Sequence, residues 1–145
     1  MEENSEYQQS IESSKQRLKF FNELGDRRAE GEKYKGLAVT YYNFMEYQRS
    51  IEHGKESLSI AKEIGNRQAE GEACIVLARS YYQLKDYKLS IEHGKESLRI
   101  AKEIGNRQAE RAACVVLALS YYHLEDYQLS IEHGNESLEI GRAHV

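Results

Sequence analysis

The sequence predicts an all-α solenoid of stacked antiparallel helical hairpins, and three observations carry that reading. The stretch "SIEHGKESL" at Ser50–Leu58 returns at Ser90–Leu98 and, with one change, at Ser130–Leu138, so the chain repeats every 40 residues. A fixed period of that length marks an array in which no unit buries its apolar face alone. Within each unit, apolar residues recur at three and four positions, the spacing of one helix face. Finally, the chain contains no proline to interrupt a helix.

Taken in order, residues 1–24 read as a half repeat consisting of a second helix only. In "YQQSIESSKQRLKFFNELG", Tyr7, Ser10 and Ile11 match Tyr47, Ser50 and Ile51, and no first helix precedes them. Three units follow at 25–64, 65–104 and 105–145, opened by "GDRRAE" at Gly25 and by "GNRQAE" at Gly65 and Gly105. In the middle unit, Ala73, Val76, Leu77, Ala78, Tyr81 and Leu84 form one apolar face, and Tyr87, Ile91, Leu98, Ala101 and Ile104 form the next. Asp26, Asn66 and Asn106 are N-cap residues for the first helices, and Asp86 and Asp126 for the second. Gly65 and Gly105 stand where a left-handed C-cap belongs. About seven helices result, in one domain spanning 1–145. The last unit stops early at "SLEIGRAHV" with no polar capping helix, so the chain reads as a segment of a longer array, or as one whose ends meet a partner or another copy.

Each repeated stretch carries a glycine in mid-helix, where Gly costs about 0.5–1 kcal/mol relative to Ala. Ser50, Gly54 and Ser57 are spaced i, i+4, i+7, as are Ser90, Gly94 and Ser97, and Ser130, Gly134 and Ser137. That spacing draws a stripe of small residues along one face, against which a neighbouring helix approaches closely.

A net charge of −4 leaves no basic patch for phosphates, which excludes nucleic acid and anionic membrane as partners and leaves a protein or peptide. The polar, acidic N-terminus and the lack of any long apolar run point to a cytoplasmic chain. Cys74 and Cys114 occupy the same place in successive units among apolar neighbours, and read as buried reduced thiols rather than a disulfide or metal pair. The Asn135-Glu136-Ser137 sequon falls inside a helix and reads as chance. His53, His93 and His133 form a ladder of one copied motif, placed away from the small-residue packing stripe, and read as that repetition rather than as metal ligands. Glutamates beside lysine or arginine, such as Glu92 and Glu96 near Lys95 and Arg99, read as solvated helix faces. No cofactor motif and no converging catalytic constellation is present, so the reading is a non-enzyme.

Leu77-Ala78-x-x-Tyr81, then Tyr87-x-x-Ser90, then Ser97-Leu98, resembles the tetratricopeptide repeat signature of L-G-x-x-Y, Y-x-x-A and a later small residue. The 40-residue unit and its "EIGNRQAEG" linker are similar to the long-repeat type of LGN/Pins-type G-protein-signalling modulators and tetratricopeptide repeat protein 28-like proteins. Departures are Tyr34, Cys74 and Cys114 at an aromatic position, Ala38, Ala78 and Ala118 at a glycine position, glycine in mid-second-helix, and no terminal proline. HEAT and armadillo repeats have similar periods, but the Tyr-Tyr and Tyr-x-x-Ser placements do not suggest them.

The resemblance implies an alpha-alpha superhelix with a concave groove lined by the first helices, where a partner peptide binds. Matching positions are Glu32, Lys35, Val39, Tyr42 and Asn43; Glu72, Ile75, Arg79, Tyr82 and Gln83; and Ala112, Val115, Leu119, Tyr122 and His123. In each Tyr-Tyr pair the first (Tyr41, Tyr81, Tyr121) falls on the packed face, and the second lies about 100° away, toward the groove. Where relatives hold a ligand backbone or carboxylate with asparagine or lysine, this chain has Gly36, Val76 and Val116, and Val39, Arg79 and Leu119. Lys35, Asn43 and Arg79 remain as polar anchors, with Lys35 and Arg79 favouring an acidic residue in a largely apolar ligand. The function expected is a non-catalytic interaction scaffold. The alternative is a structural spacer or self-assembling segment that stacks through its uncapped ends, giving a homo-oligomer.

Overall fold

In the computed structural model the described residues are 2–24 and 26–143, with side chains described for 4–22 and 26–142. Gly25, the first of the unit-opening glycines, and residues 144 and 145 lie outside them. Seven helices run through the described residues: α1 (Glu2–Leu24), α2 (Arg27–Asn43), α3 (Tyr47–Ile64), α4 (Arg67–Gln83), α5 (Tyr87–Ile104), α6 (Arg107–His123) and α7 (Tyr127–Ala143). Helices α2 and α3, α4 and α5, and α6 and α7 pack as hairpins, each hairpin packs on the next, and α1 packs on α2. The result is an all-α repeat solenoid in which each unit touches only its neighbours.

Local chemistry sets the helix ends. Asp26, Asn66 and Asn106 accept hydrogen bonds from the backbone amides three residues on, at 3.1, 3.0 and 3.0 Å, satisfying donors that the first turn leaves unpaired. Asp86 and Asp126 do the same for α5 and α7, at 3.2 and 3.3 Å. Gly65 and Gly105 end α3 and α5 at φ +70°, a conformation that costs a side chain dearly and glycine nothing. The turns inside the hairpins differ from the sequence pattern: Met45, Lys85 and Glu125 also adopt φ of +63° to +64° without being glycine. The amide after each one donates back to the last turn, as Asp86 does to the Tyr81 carbonyl at 2.9 Å. That closure, repeated in every hairpin, holds a strained conformation which no glycine signals in the sequence.

The core follows the same period. Leu37, Leu77 and Leu117 are fully buried, one per first helix, each beside the first tyrosine of its pair. Leu77 packs with Ile51 and Tyr81, and Leu117 with Ile91, Leu98 and Tyr121. In α1, Tyr7 and Ile11 occupy the corresponding place against Leu37 and Tyr41. A Cβ built on Gly54 would lie 2.9 Å from Leu77 Cδ2, and one on Gly94 2.9 Å from Leu117 Cδ2, so the small stripe is the seat for the next first helix. A Cβ on Gly134 meets nothing within 4 Å. On that outer face of α7, Ile131 and Leu138 are 62% and 56% exposed, against 9% and 8% for Ile91 and Leu98.

Polar groups also bridge the units. Ser50 Oγ donates to the Ala38 carbonyl at 2.8 Å and shares a hydrogen bond with Ser80 Oγ at 3.0 Å. Ser90 repeats this with Ala78 at 2.8 Å and Ser120 at 2.9 Å. Not all glutamates are solvated, contrary to the sequence reading: Glu30, Glu70 and Glu110 are buried. Each pairs with the arginine three residues earlier, at 2.8, 2.8 and 3.8 Å. Arg27 and Arg67 also reach Glu63 and Glu103 across the hairpin at 2.7 and 2.6 Å. Cys74 and Cys114 are buried free thiols, and burial pushes both up to about 12, with Glu96 and Glu136 adding to the effect.

Candidate functional site

The first helices α2, α4 and α6 stand side by side, and between them lies a cavity of about 500 Å³. Tyr42, Arg79, Tyr82, Gln83, Ala112, Val115 and Leu119, all expected in the groove from the sequence, line it together with Gln108, Arg111 and Val116. Exposed Val115 and Leu119 give the wall an apolar stripe, and exposed Tyr122 extends the apolar surface of α6 by a turn. Arg79 and Arg111 are exposed and have no ion partner among the described residues.

Eight of the residues expected in the groove, Glu32 and Glu72 among them, do not line that cavity. Lys35 is held in ion pairs, with Glu72 of the next hairpin and with Glu32 at 3.4 Å, so its charge is already answered. Ile75 faces a tight crevice with Ile100 and Ile104 instead. Val39 and Asn43 are exposed on α2. Tyr122 packs edge-on to Tyr127, and His123 stacks on Tyr87 with centroids 4.7 Å apart and planes at 2°. His123 Nε2 also hydrogen-bonds the Tyr82 hydroxyl at 3.2 Å, which fixes the phenol at the rim. Burial pushes the Tyr82 phenol above its ordinary value.

Arg111 was not legible as a groove residue by family position, yet the sequence holds a signal. It stands where the other units have Gly31 and Gly71, the one change from glycine to a long cation in an otherwise copied segment. A Cβ on Gly31 would lie 2.9 Å from Ile60 Cγ2, which shows what the smaller residue admits there.

The histidines take a different place from the one expected. His93 stacks on Tyr81 at 5.5 Å and 7°, His133 on Tyr121 at 5.7 Å and 4°, and His53 lies tilted on Tyr41 at 5.1 Å. They belong to the packing inside each hairpin because position i+3 from the buried serine falls on the same side of the helix. Burial accordingly lowers His93 from its ordinary value.

The sequence pattern of the family described as "Tetratricopeptide repeat" matches residues 29–103. Among solved structures, a Signal Transduction ATPase with Numerous Domains protein with a tetratricopeptide repeat sensor, from Pyrococcus horikoshii, superposes with a TM-score of 0.86 at 23% identity. That match covers 94% of this chain and 21% of that one, so the chain spans about a fifth of the Pyrococcus protein. The tetratricopeptide repeat domain of Arabidopsis FLU superposes with a TM-score of 0.77 at 17% identity, covering 81% of this chain and 98% of that one. At these identities the likeness is one of fold. Comparison with the curated proteins finds none that matches. No described helix is long and apolar enough to cross a membrane.

Proposed function

This chain belongs to the tetratricopeptide repeat family, whose fold generally mediates protein–protein interactions without catalysis, and from that premise we propose that it captures a partner peptide between α4 and α6. The observation that carries this reading is the pair Arg79 and Arg111, unpaired in a cavity walled by Tyr42, Tyr82, Val115 and Leu119. In a chain of net charge −4, two cations left without partners suit an acidic residue of a ligand. The tyrosines and aliphatic side chains suit its apolar anchors, since Tyr gives large contact area at small entropy cost. Arg111 thus takes the role expected of Lys35. The 40-residue unit supports placing the chain with the long-repeat type of LGN/Pins-type modulators and tetratricopeptide repeat protein 28-like proteins, the polar, acidic N-terminus supports a cytoplasmic chain, and the net charge of −4 supports a partner that is neither nucleic acid nor an anionic membrane.

Displayed random peptides selected against the chain are expected to share an apolar and acidic pattern, and to lose about tenfold or more in affinity with Arg79→Glu/Arg111→Glu or with Tyr82→Ala. Selected peptides that bind these variants as tightly as the native chain place the site elsewhere. The exposed Ile131, Gly134 and Leu138 face of α7 favours a second reading, in which copies stack end to end through the surface that inner hairpins bury. Light scattering decides it: a mass rising with concentration and reverting to monomer in Ile131→Glu supports stacking, and a strict monomer rejects it.

A further inference from the structure

Cys114 on α6 and His133 and Glu136 on α7 bring a thiol, an imidazole nitrogen and a carboxylate oxygen within 4.8 Å of one another. Cys114 is buried and the other two are half-buried. The Nδ1 of His133 is sealed from solvent without a hydrogen-bond partner; Glu136 Oε2, at 3.7 Å, is too far to serve. Native interiors seldom keep a buried polar atom unpaired unless an ion or water answers it.

The cluster belongs to this hairpin alone among the described residues. The second hairpin holds the same residue types in register, Cys74, His93 and Glu96, but Arg99 takes both carboxylate oxygens of Glu96. In the third, Glu139 stands at the position of Arg99 and draws nothing away. Lys102 of α5 instead pairs with Oε1 of Glu136 at 3.1 Å, which leaves Oε2 on the His133 side. In the first hairpin the thiol is absent, Tyr34 taking its place.

We propose that Cys114, His133 and Glu136 are three ligands of a zinc-type divalent metal site in the last hairpin. Thiolate, imidazole and carboxylate together form a donor set that suits zinc and not magnesium or calcium. Tetrahedral bonds of about 2.0–2.3 Å set donors roughly 3.3–3.8 Å apart, so atoms within 4.8 Å of one another close by about 1.5 Å at most. Side-chain torsions supply that movement, because His133 and Glu136 lie one helical turn apart on one face of α7. The Tyr121 ring, stacked parallel on His133, fixes the imidazole plane, and Lys102 orients the carboxylate as an outer partner. Ligation exchanges the Cys114 thiol proton for the metal; the proton passes to solvent and no electron moves.

Cobalt(II) titrated into the reduced, tag-free full chain is the test, because thiolate ligation gives a near-ultraviolet charge-transfer band. One ion per chain is expected, displaced by zinc, with the band kept in Cys74→Ser and lost in Cys114→Ser. Glu136→Gln and His133→Asn are expected to weaken binding about tenfold or more. A native chain without the band, a band that survives Cys114→Ser, or one that vanishes with Cys74→Ser overturns the proposal. If circular dichroism shows that Cys114→Ser does not fold, Glu136→Gln decides, and unchanged affinity in that variant overturns it.

Discussion

Gly94→Leu is expected to destabilise the chain by about 1–3 kcal/mol or more, while Gly134→Ala at the matching place in the next unit is expected to stabilise it by about 0.5–1 kcal/mol. At Gly94 an added Cβ already lies 2.9 Å from Leu117 Cδ2, 3.2 Å from its Cγ and 3.4 Å from Val116 Cγ1. Leu117 has no exposed surface, so a leucine at 94 has no space to enter unless α5 and α6 separate. Gly94→Ala costs less, because the first atom met is the movable end of a side chain. At Gly134 nothing stands within 4 Å, and only the backbone freedom of glycine is removed. Thermal and urea melts of the three variants check this. A Gly94→Leu melt that coincides with the native one rejects close helix approach as the reason for the repeated glycine.

Ser90→Val is the second large effect, a loss of about 2–4 kcal/mol that combines lost pairing with added bulk. Ser90, Ser120 and Ser80 are fully buried. The Ser90 hydroxyl is tied to the Ala78 carbonyl at 2.8 Å and to Ser120 at 2.9 Å, so it joins its own hairpin to the following one. Valine removes the donor, leaves the Ser120 hydroxyl without its partner and brings methyl groups into a filled space. A cycle of Ser90→Ala, Ser120→Ala and the pair separates the contributions. The double variant is expected to cost less than the sum of the singles, since replacing both partners leaves no polar group stranded. Strict additivity would mean that the two hydroxyls do not stabilise each other.

Much of the architecture was legible from local spacing. The Asn66 and Asn106 caps, the left-handed glycines at 65 and 105, and the burial of the first tyrosine of each pair all depend on residues within a turn or two of one another. The site was legible in part. Tyr42, Arg79, Tyr82, Gln83, Val115 and Leu119 meet at one cavity because the period carries equivalent faces of α2, α4 and α6 to the same side. Lys35 did not join them as a free cation, since Glu72 of the next hairpin neutralises it. Arg111 did join them, from a position that in the other two units is a glycine packed on isoleucine.

By itself the sequence determined the period, the helix count, the caps and the face each helix buries, because the helical repeat and the chemistry of chain ends act over a few residues. Only the tertiary structure decided the partners. The Ser90–Ser120 pair, the Arg67–Glu103 bridge, the Lys35–Glu72 neutralisation and the convergence of Cys114 on His133 and Glu136 join residues 19 to 37 positions apart. Such contacts turn on where neighbouring helices set atoms a few ångströms from one another. Copied residues such as Glu96 and Glu136 look alike along the chain, and part company only when a neighbour, Arg99 or Lys102, takes one carboxylate and not the other.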